Sequence, residues 1–488
     1  MSINVVRNSK IPLYRQIAEQ IRTQIIEGVI APETVLPSAR LLATEIDVSM
    51  FAVHRAYVEL AKMGLVESKQ RVGTRVVGSV SVSVGSGPVA SLPDSGPTGS
   101  FERLSRSAGI RSMASVMGDP ALFQADAWVA EIETLRNASP WTFDYADSAG
   151  TPELLREIAR LLTRRGLVTN ESSIVVTTGC LSGFAALLDI VTSPGDTILV
   201  QEPGHLWLRE LSRLKRLNLV PLGHIGDGID LDAAAEAMRR NRPKLILLTP
   251  DFGYSTGLSM PASQREEILR LARATGVLVV EDAGASALRY QGDPAPSLAS
   301  LDGQNVVHIG SFSYSLCPGV GTGFVRLPPR LRAAYVAAVE ALGHQIVPLV
   351  QIGLARYLES GGQEAHLRRV LPKYEARRDA LHEALTTYMP PQVTWTHVVG
   401  GLATWVTLPR TCRSSALYAD AIRRGVAFAP GRLFVTAGDP EFSMRLSFAL
   451  LEPQAITESV RILARLIKGE RIPGPVLGPN LASLVEVR

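Results

Sequence analysis

Leu36-Pro37-Ser38-Ala39-Arg40-Leu41-Leu42-Ala43-Thr44-Glu45-Ile46-Asp47-Val48-Ser49-Met50-Phe51-Ala52-Val53 reads as two short helices joined by a tight turn. Ser38 and Ser49 are residues of the kind that caps a helix, because a hydroxyl can accept from the orphan N–H groups of the first turn. The first helix carries Leu41, Leu42 and Ile46. The second carries Val53, Ala56, Tyr57 and Leu60, and Gly64 stops it. Asp47-Val48 between them is the size of a helix-turn-helix connection.

Outward from this pair, Leu13, Ile17, Ile21 and Ile25 recur at near-helical spacing, with Pro12 at the start and Gly28 after the end. Downstream, Leu65-Val66-Glu67 and Thr74-Arg75-Val76-Val77 flank a polar tip at residues 68–73, which is the pattern of a β-hairpin wing. Residues 1–77 hold ten lysines and arginines against seven acidic residues, most of the chain's net charge of +4. That excess is a weak nucleic-acid footprint by itself, and a solvated mixed surface explains it equally well.

The remaining chain changes character twice. From 78 to 100 the only charged residue is Asp94, among serines, glycines and prolines, so 78–112 reads as a flexible linker. The Val/Ser alternation at its start fits a short exposed strand as well. Residues 113–470 alternate helical patterns with short apolar strands, as an α/β domain with a mainly parallel sheet and a smaller C-terminal subdomain does. The tail 471–488 looks peripheral. With 488 residues, 46% of them hydrophobic, the chain has enough for two or three buried cores. Its apolar runs are too short to span a bilayer, which needs about 20 residues. Cys180, Cys317 and Cys412 have no metal-ligand spacing and suggest a reducing compartment, so a cytoplasmic location with no metal and no membrane partner is expected.

The N-terminal stretch resembles the winged helix-turn-helix domain of the GntR family. The matching residues run in order through Pro12-Leu13-Tyr14, Gln16-Ile17, Ile21-Arg22, Leu36-Pro37-Ser38, Arg40, Leu42-Ala43, Val48-Ser49, Ala56-Tyr57, Leu60 and Gly73-Thr74. The resemblance implies that the helix opened by Ser49 enters the major groove of double-stranded operator DNA, while the Ser38–Arg40 turn and the wing hold phosphates. It marks Arg22, Ser38, Arg40, Ser49, Met50, Phe51, Arg55, Gly73, Thr74 and Arg75 as DNA-facing. Met50 and Ala52 stand where that family usually has a long cation and a threonine, so Met50 and Phe51 are expected against thymine methyls.

Residues 113–470 resemble class I aminotransferases of fold type I, and the two parts together resemble the MocR subfamily of GntR regulators. The resemblance rests on Asp144-Tyr145-Ala146-Asp147-Ser148-Ala149-Gly150, Thr177-Thr178-Gly179-Cys180, Glu281-Asp282, Arg445-Leu446-Ser447 and above all Gly310-Ser311-Phe312-Ser313-Tyr314-Ser315-Leu316-Cys317-Pro318-Gly319. In that family the position of Tyr314 is the lysine that forms an imine with pyridoxal phosphate, and a phenol cannot form one. Asp282 matches the acid that protonates the cofactor's pyridine. His205 stands at the stacking aromatic. Gly253 and Gly284 replace donors to the phenolate oxygen, and Gly321 replaces a phosphate-pairing arginine. The chain has seven lysines, none between Lys244 and Lys373.

The pocket residues singled out are therefore Gly179, Cys180, His205, Asp282, Ser311, Ser313, Tyr314 and Arg445, with no catalytic residue among them. The resemblance implies a homodimeric regulator that senses a small carboxylate or amine, with no covalent pyridoxal phosphate and with non-covalent cofactor left open. The rival expectation is a pyridoxal-phosphate aminotransferase that kept a DNA-binding domain.

Overall fold

The computed structural model describes residues 12–26, 34–62, 65–69, 73–76, 109–137, 144–225, 228–343, 346–435 and 440–470, with Ile3, Val5 and Ile30 besides. The expected helix stops Gly28 and Gly64, most of the expected linker and the tail 471–488 lie outside those residues. The chain divides into two compact units, Met1–Pro93 and Asp94–Arg488.

The first unit is built from helices Leu13–Ile26, Ala39–Glu45 and Met50–Lys62, followed by strands Val66–Lys69 and Gly73–Val76. The strands pair antiparallel, with Glu67 opposite Arg75. Ile17, Ile21, Leu42, Val53, Ala56, Leu60 and Val76 bury together as its core. Ser38 caps its helix by accepting from the Leu41 N–H at 3.2 Å, and Ser49 accepts from the Ala52 N–H at 3.2 Å. Asp47, in the turn, takes a left-handed φ of 51°, a conformation that Asp adopts more readily than most residues. The Tyr57 hydroxyl donates to the Pro37 carbonyl at 2.8 Å and so ties the third helix to the entry of the second.

The second unit holds a seven-stranded sheet in the order Ile174–Thr177, Gly323–Arg326, Val306–Ser311, Leu278–Asp282, Leu245–Leu248, Thr197–Gln201, Asn218–Leu222. Gly323–Arg326 runs antiparallel to both neighbours, and the other pairings are parallel. The central strands are buried on both faces, as a parallel sheet covered by helices requires. Val279 belongs to one apolar core and Val280 to the other, because successive side chains point to opposite faces. The same alternation sends Asp282 to one side of the sheet's C-terminal edge and Glu281 to the other.

A four-stranded sheet, Thr394–Trp395, Ala403–Thr407, Ser443–Ser447 and Ala429–Pro430, forms the smaller subdomain. It packs with helices Gly362–Tyr388 and Pro453–Ile467 around a third apolar core. The expected linker ends earlier than position 112. Arg111–Ser112 form a strand parallel to Val426–Ala427, and Met113 and Ala114 are fully buried in the subdomain core. A two-residue strand leaves no periodicity, so that junction carried no signal. Among the described residues no helix is long and apolar enough to cross a membrane.

Candidate functional sites

In the first unit the expected DNA-facing side chains are spread over four elements: Arg22 on Leu13–Ile26, Ser38 and Arg40 at Ala39–Glu45, Ser49, Met50, Phe51 and Arg55 at Met50–Lys62, and Gly73, Thr74 and Arg75 on the hairpin. Met50 is 57% exposed and Phe51 is 71% exposed, directly after the Ser49 cap. Two large apolar side chains in water at a helix N-terminus gain from a partner surface. Arg40 is exposed on the preceding helix. The other three cations have partners within the unit. Arg22 pairs with Glu19 at 2.7 Å, Arg75 pairs with Glu67 at 2.7 Å, and Arg55 lies 4.2 Å above the Tyr14 ring. These contacts are on the surface, where ion pairs are weak and exchange readily with phosphate. Gly73 has a φ of 100°, a region that favours glycine, and opens the second strand of the hairpin.

In the second unit the strand–helix geometry brings His205, Asp282 and Tyr314 together at the C-terminal edge of the large sheet, with Cys180 and Arg445 close to Tyr314, whereas Ser311, expected in the same pocket, lines a separate cavity. Gly179 has a φ of 101° and precedes the helix Cys180–Val191, leaving that helix's N-terminus pointing out of the sheet. Ser311 caps the short helical turn Phe312–Ser315 by accepting from the Ser313 N–H at 3.2 Å. Tyr314 projects from that turn. Its ring lies against Gly284, where an added Cβ would meet ring carbons at 3.3 Å. Burial raises its phenol well above the ordinary value, with Tyr254, Cys180 and Asp282 acting the same way and Arg445 opposing. Burial, with Asp282 nearby, also raises the Cys180 thiol, so it stays protonated and unreactive.

Asp282 is fully enclosed. Its Oδ2 lies 2.8 Å from His205 Nε2, and its Oδ1 accepts from the Gly284 N–H at 2.9 Å. The His205 approach falls outside good hydrogen-bond geometry, so it is a close polar contact and not a linear hydrogen bond. Burial alone would raise the Asp282 carboxyl. The His205 ring, the Gly284 N–H and His308 outweigh it and hold the carboxyl below its usual range. His205 in turn stacks on Trp207 at 4.8 Å and meets Tyr254 at 4.5 Å. The cavity left between Tyr314, His205, Asp282 and Tyr254 measures about 20 Å³, room for one or two waters.

Arg445 sits at the subdomain side of this cluster, on Ser443–Ser447, fully buried. Its guanidinium lies 4.7 Å from the Tyr254 ring and 4.4 Å from the Phe434 ring, and Nη2 donates to the Ala114 carbonyl at 2.6 Å. Nε and Nη1 are buried without a hydrogen-bond partner among the described residues. Gly321 closes the turn Pro318–Val320 with a φ of 57°. An arginine there would be strained as well as differently charged, so both backbone and side chain depart from a phosphate anchor.

Sequence reading placed the cluster and missed part of its lining. Trp207, Tyr254 and Phe434 carry no spacing signal, because aromatics in an α/β domain are usually core. Glu281 and His308 were also missed. Glu281 accepts from the Leu298 and Ala299 N–H groups at 2.9 and 3.1 Å and lies 2.9 Å from His308 Nδ1, all on the far face of the sheet. The strict alternation of Leu278–Asp282 was the available signal, since two adjacent carboxylates in a buried strand must face opposite sides.

Comparison with known proteins matches this architecture. Residues 117–463 match the family aminotransferase class I and II, and residues 13–76 match the bacterial regulatory proteins of the gntR family. The chain belongs to the class I and II aminotransferase family and carries a GntR-type DNA-binding domain at its N-terminus. It is 26% identical over 468 residues to the probable rhizopine catabolism regulatory protein MocR of Rhizobium meliloti, covering 94% of each chain. It is 30% identical over 374 residues to 2-aminoadipate transaminase of Thermus thermophilus, covering 75% of this chain and 92% of that one. Among solved structures, the multiple substrate aminotransferase of Thermococcus profundus superposes with a TM-score of 0.72 at 27% identity, over 78% of this chain and 96% of that one.

Proposed function

We propose that this protein is a dimeric transcriptional regulator. Its winged domain binds operator DNA, and its aminotransferase-like domain senses a small carboxylate or amine without transaminating it. The observation that carries the second half is Tyr314, packed on Gly284 where an imine-forming lysine would stand. The residues present do not fit a covalently held pyridoxal phosphate. No amine is at hand, His205 already sits on Asp282, Gly321 offers no guanidinium, and the space is about 20 Å³. A cofactor's chemistry needs those groups at once.

Support for the first half comes from the capped helix pair, the exposed Met50 and Phe51, and end-to-end similarity to a regulatory protein. Residues from 78 to about 110 serve as the linker, and 471–488 as a peripheral tail. Large domains of this fold pair across their clefts, which would present two winged domains to paired half-sites in the cytoplasm. The similarity to 2-aminoadipate transaminase favours the rival reading of a working aminotransferase. Borohydride treatment with pyridoxal phosphate, followed by peptide mass mapping, separates the two. The regulator gives no stoichiometric adduct at 305–330, and a mobility shift with DNA from its own upstream region. A stoichiometric adduct there sinks the non-covalent reading.

A further inference from the structure

A larger cavity, of about 330 Å³, lies on the other face of the sheet from Asp282. Glu281, His308 and the turn Phe312–Ser315 separate it from the collapsed cofactor pocket. Leu161, Leu162, Leu167, Phe312 and Phe324 form its apolar wall. A space of this size lies at the small end of ligand sites and suits a molecule on the order of ten non-hydrogen atoms.

Most of the charged groups around it are matched. Arg265 and Arg289 share Asp251 at 2.7 and 3.1 Å, Arg164 pairs with Glu364 at 2.8 Å, and Glu281 is held by His308 and two backbone N–H groups. Arg165 lines the cavity and makes no side-chain hydrogen bond or ion pair among the described residues. It is exposed to solvent, with the Glu364 carboxylate near enough to act on its charge. A second polar group also waits there. Gln363, 1% exposed, donates from Nε2 to Ser315 Oγ at 2.9 Å, while its Oε1 is buried without a partner.

We propose that this cavity is the ligand site of the large domain and takes a small carboxylate with an apolar body, the carboxylate on Arg165 and the body against Leu161, Leu162 and Phe312. An anion is favoured because Arg165 brings to the lining a positive charge that makes no hydrogen bond or ion pair among the described residues and is fixed at every physiological pH. An apolar body is favoured because the remaining wall is aliphatic and aromatic. The turn Phe312–Ser315 gives the site a mechanical neighbour. Phe312 and Ser315 face this cavity, and Tyr314 of the same turn faces the collapsed one. The site deepens the sensing half of the regulatory reading and rests on that reading only for its effect on DNA.

The full-length protein is titrated calorimetrically with 3-phenylpropanoate, and separately with its neutral amide. The expected result is a dissociation constant of about 1 mM or tighter for the acid. The amide, and the acid with Arg165→Ala, should bind roughly ten- to a hundredfold more weakly, the range of one charge-assisted hydrogen-bonded pair. Ala287→Phe, which fills the cavity from its opposite wall, should abolish binding while Arg165 remains. A crystal with 3-(4-bromophenyl)propanoate should show the bromine beside Phe312. No heat with the acid at about 10 mM, binding indifferent to Arg165→Ala, or bromine beside His205 each overturns the proposal. DNA affinity by anisotropy with and without the acid is read separately. Cavity binding that leaves DNA affinity unchanged keeps the site and overturns only its regulatory role.

Discussion

The ring of Tyr314 rests on the Cα of Gly284: Cδ2 and Cε2 stand 3.3 Å from where a Cβ would be, and Asp282 Oδ1 stands 3.2 Å from the same point. The size of the side chain at 314 and the absence of one at 284 are thus one steric fact. The larger side chain at 314 occupies space that the smaller one at 284 leaves. The pocket is a repacked core and not merely a site with a group deleted.

Gly284→Ala should therefore destabilise the large domain by about 1 kcal/mol, and Gly284→Tyr by roughly 1–3 kcal/mol, the cost of overpacking a filled core. In a Tyr314→Ala background the same changes should cost clearly less. The double-mutant cycle by urea unfolding should give a coupling of about 1 kcal/mol or more. Strict additivity would mean that the two side chains do not compete for one space.

The helix pair, the wing, the mainly parallel sheet and the clustering of His205, Asp282 and Tyr314 were legible, because capping serines, period-two strands and motif order are local signals. What the sequence could not give is tertiary exchange. Nothing local says that His205 sits on Asp282, since that depends on Tyr254 meeting it from a distant loop, with Trp207 of its own loop stacked against it. Nor could spacing reveal that Arg55 and Arg75 have partners on Tyr14 and Glu67, whereas Glu19 and Arg22, three apart on one helix, were readable as a pair. The cavity behind the sheet was equally invisible, because Arg165, His308 and Gln363 come from three distant segments.

Asp282 should matter to stability and to its pH dependence. Its carboxyl is held below the usual range, chiefly by His205 against the opposing pull of burial. A depressed acid stabilises fully above the unfolded pKa of about 3.9 and loses that stabilisation as pH falls through the folded value. Asp282→Asn should thus cost about 3 kcal/mol at pH 7, the loss on breaking a buried pair. Its unfolding free energy should fall less steeply than the parent's below about pH 4. Parallel acid limbs for parent and variant, measured by denaturant titration, would contradict the polar contact.

On DNA, the exposed cation and the exposed hydrophobes should behave differently. Arg40 makes no ion pair among the described residues and is placed to meet phosphate. Arg40→Ala should weaken binding to every duplex alike and lower the salt dependence by about one unit of slope. Phe51→Ala should instead weaken specific binding by roughly 1–3 kcal/mol at A·T-containing positions and leave the salt slope unchanged. Anisotropy titrations at several salt concentrations distinguish the two. An unchanged slope for Arg40→Ala would remove it from the phosphate grip.

Restoring the amine alone should not restore an enzyme. Tyr314→Lys supplies a nucleophile, but the added lysine would enter a pocket whose carboxylate is already occupied by His205 at 2.8 Å. The phosphate end would still lack a guanidinium, because Gly321 holds a left-handed turn with a φ of 57°. The phenolate oxygen would still lack donors at Gly253 and Gly284. Each missing charge-assisted hydrogen bond is worth roughly 1.5–3 kcal/mol, so cofactor retention should be weak and transamination undetectable. Tyr314→Lys combined with His205→Tyr should do better, because it frees Asp282 for a pyridinium and returns an aromatic face. The expected order of pyridoxal-phosphate binding, read by visible absorbance and by borohydride trapping, is parent below the single variant and the single variant below the pair. Equal binding by the single and double variants would show that His205 does not block Asp282. Robust transamination by Tyr314→Lys alone would mean that the repacked pocket reopens around a cofactor at little cost.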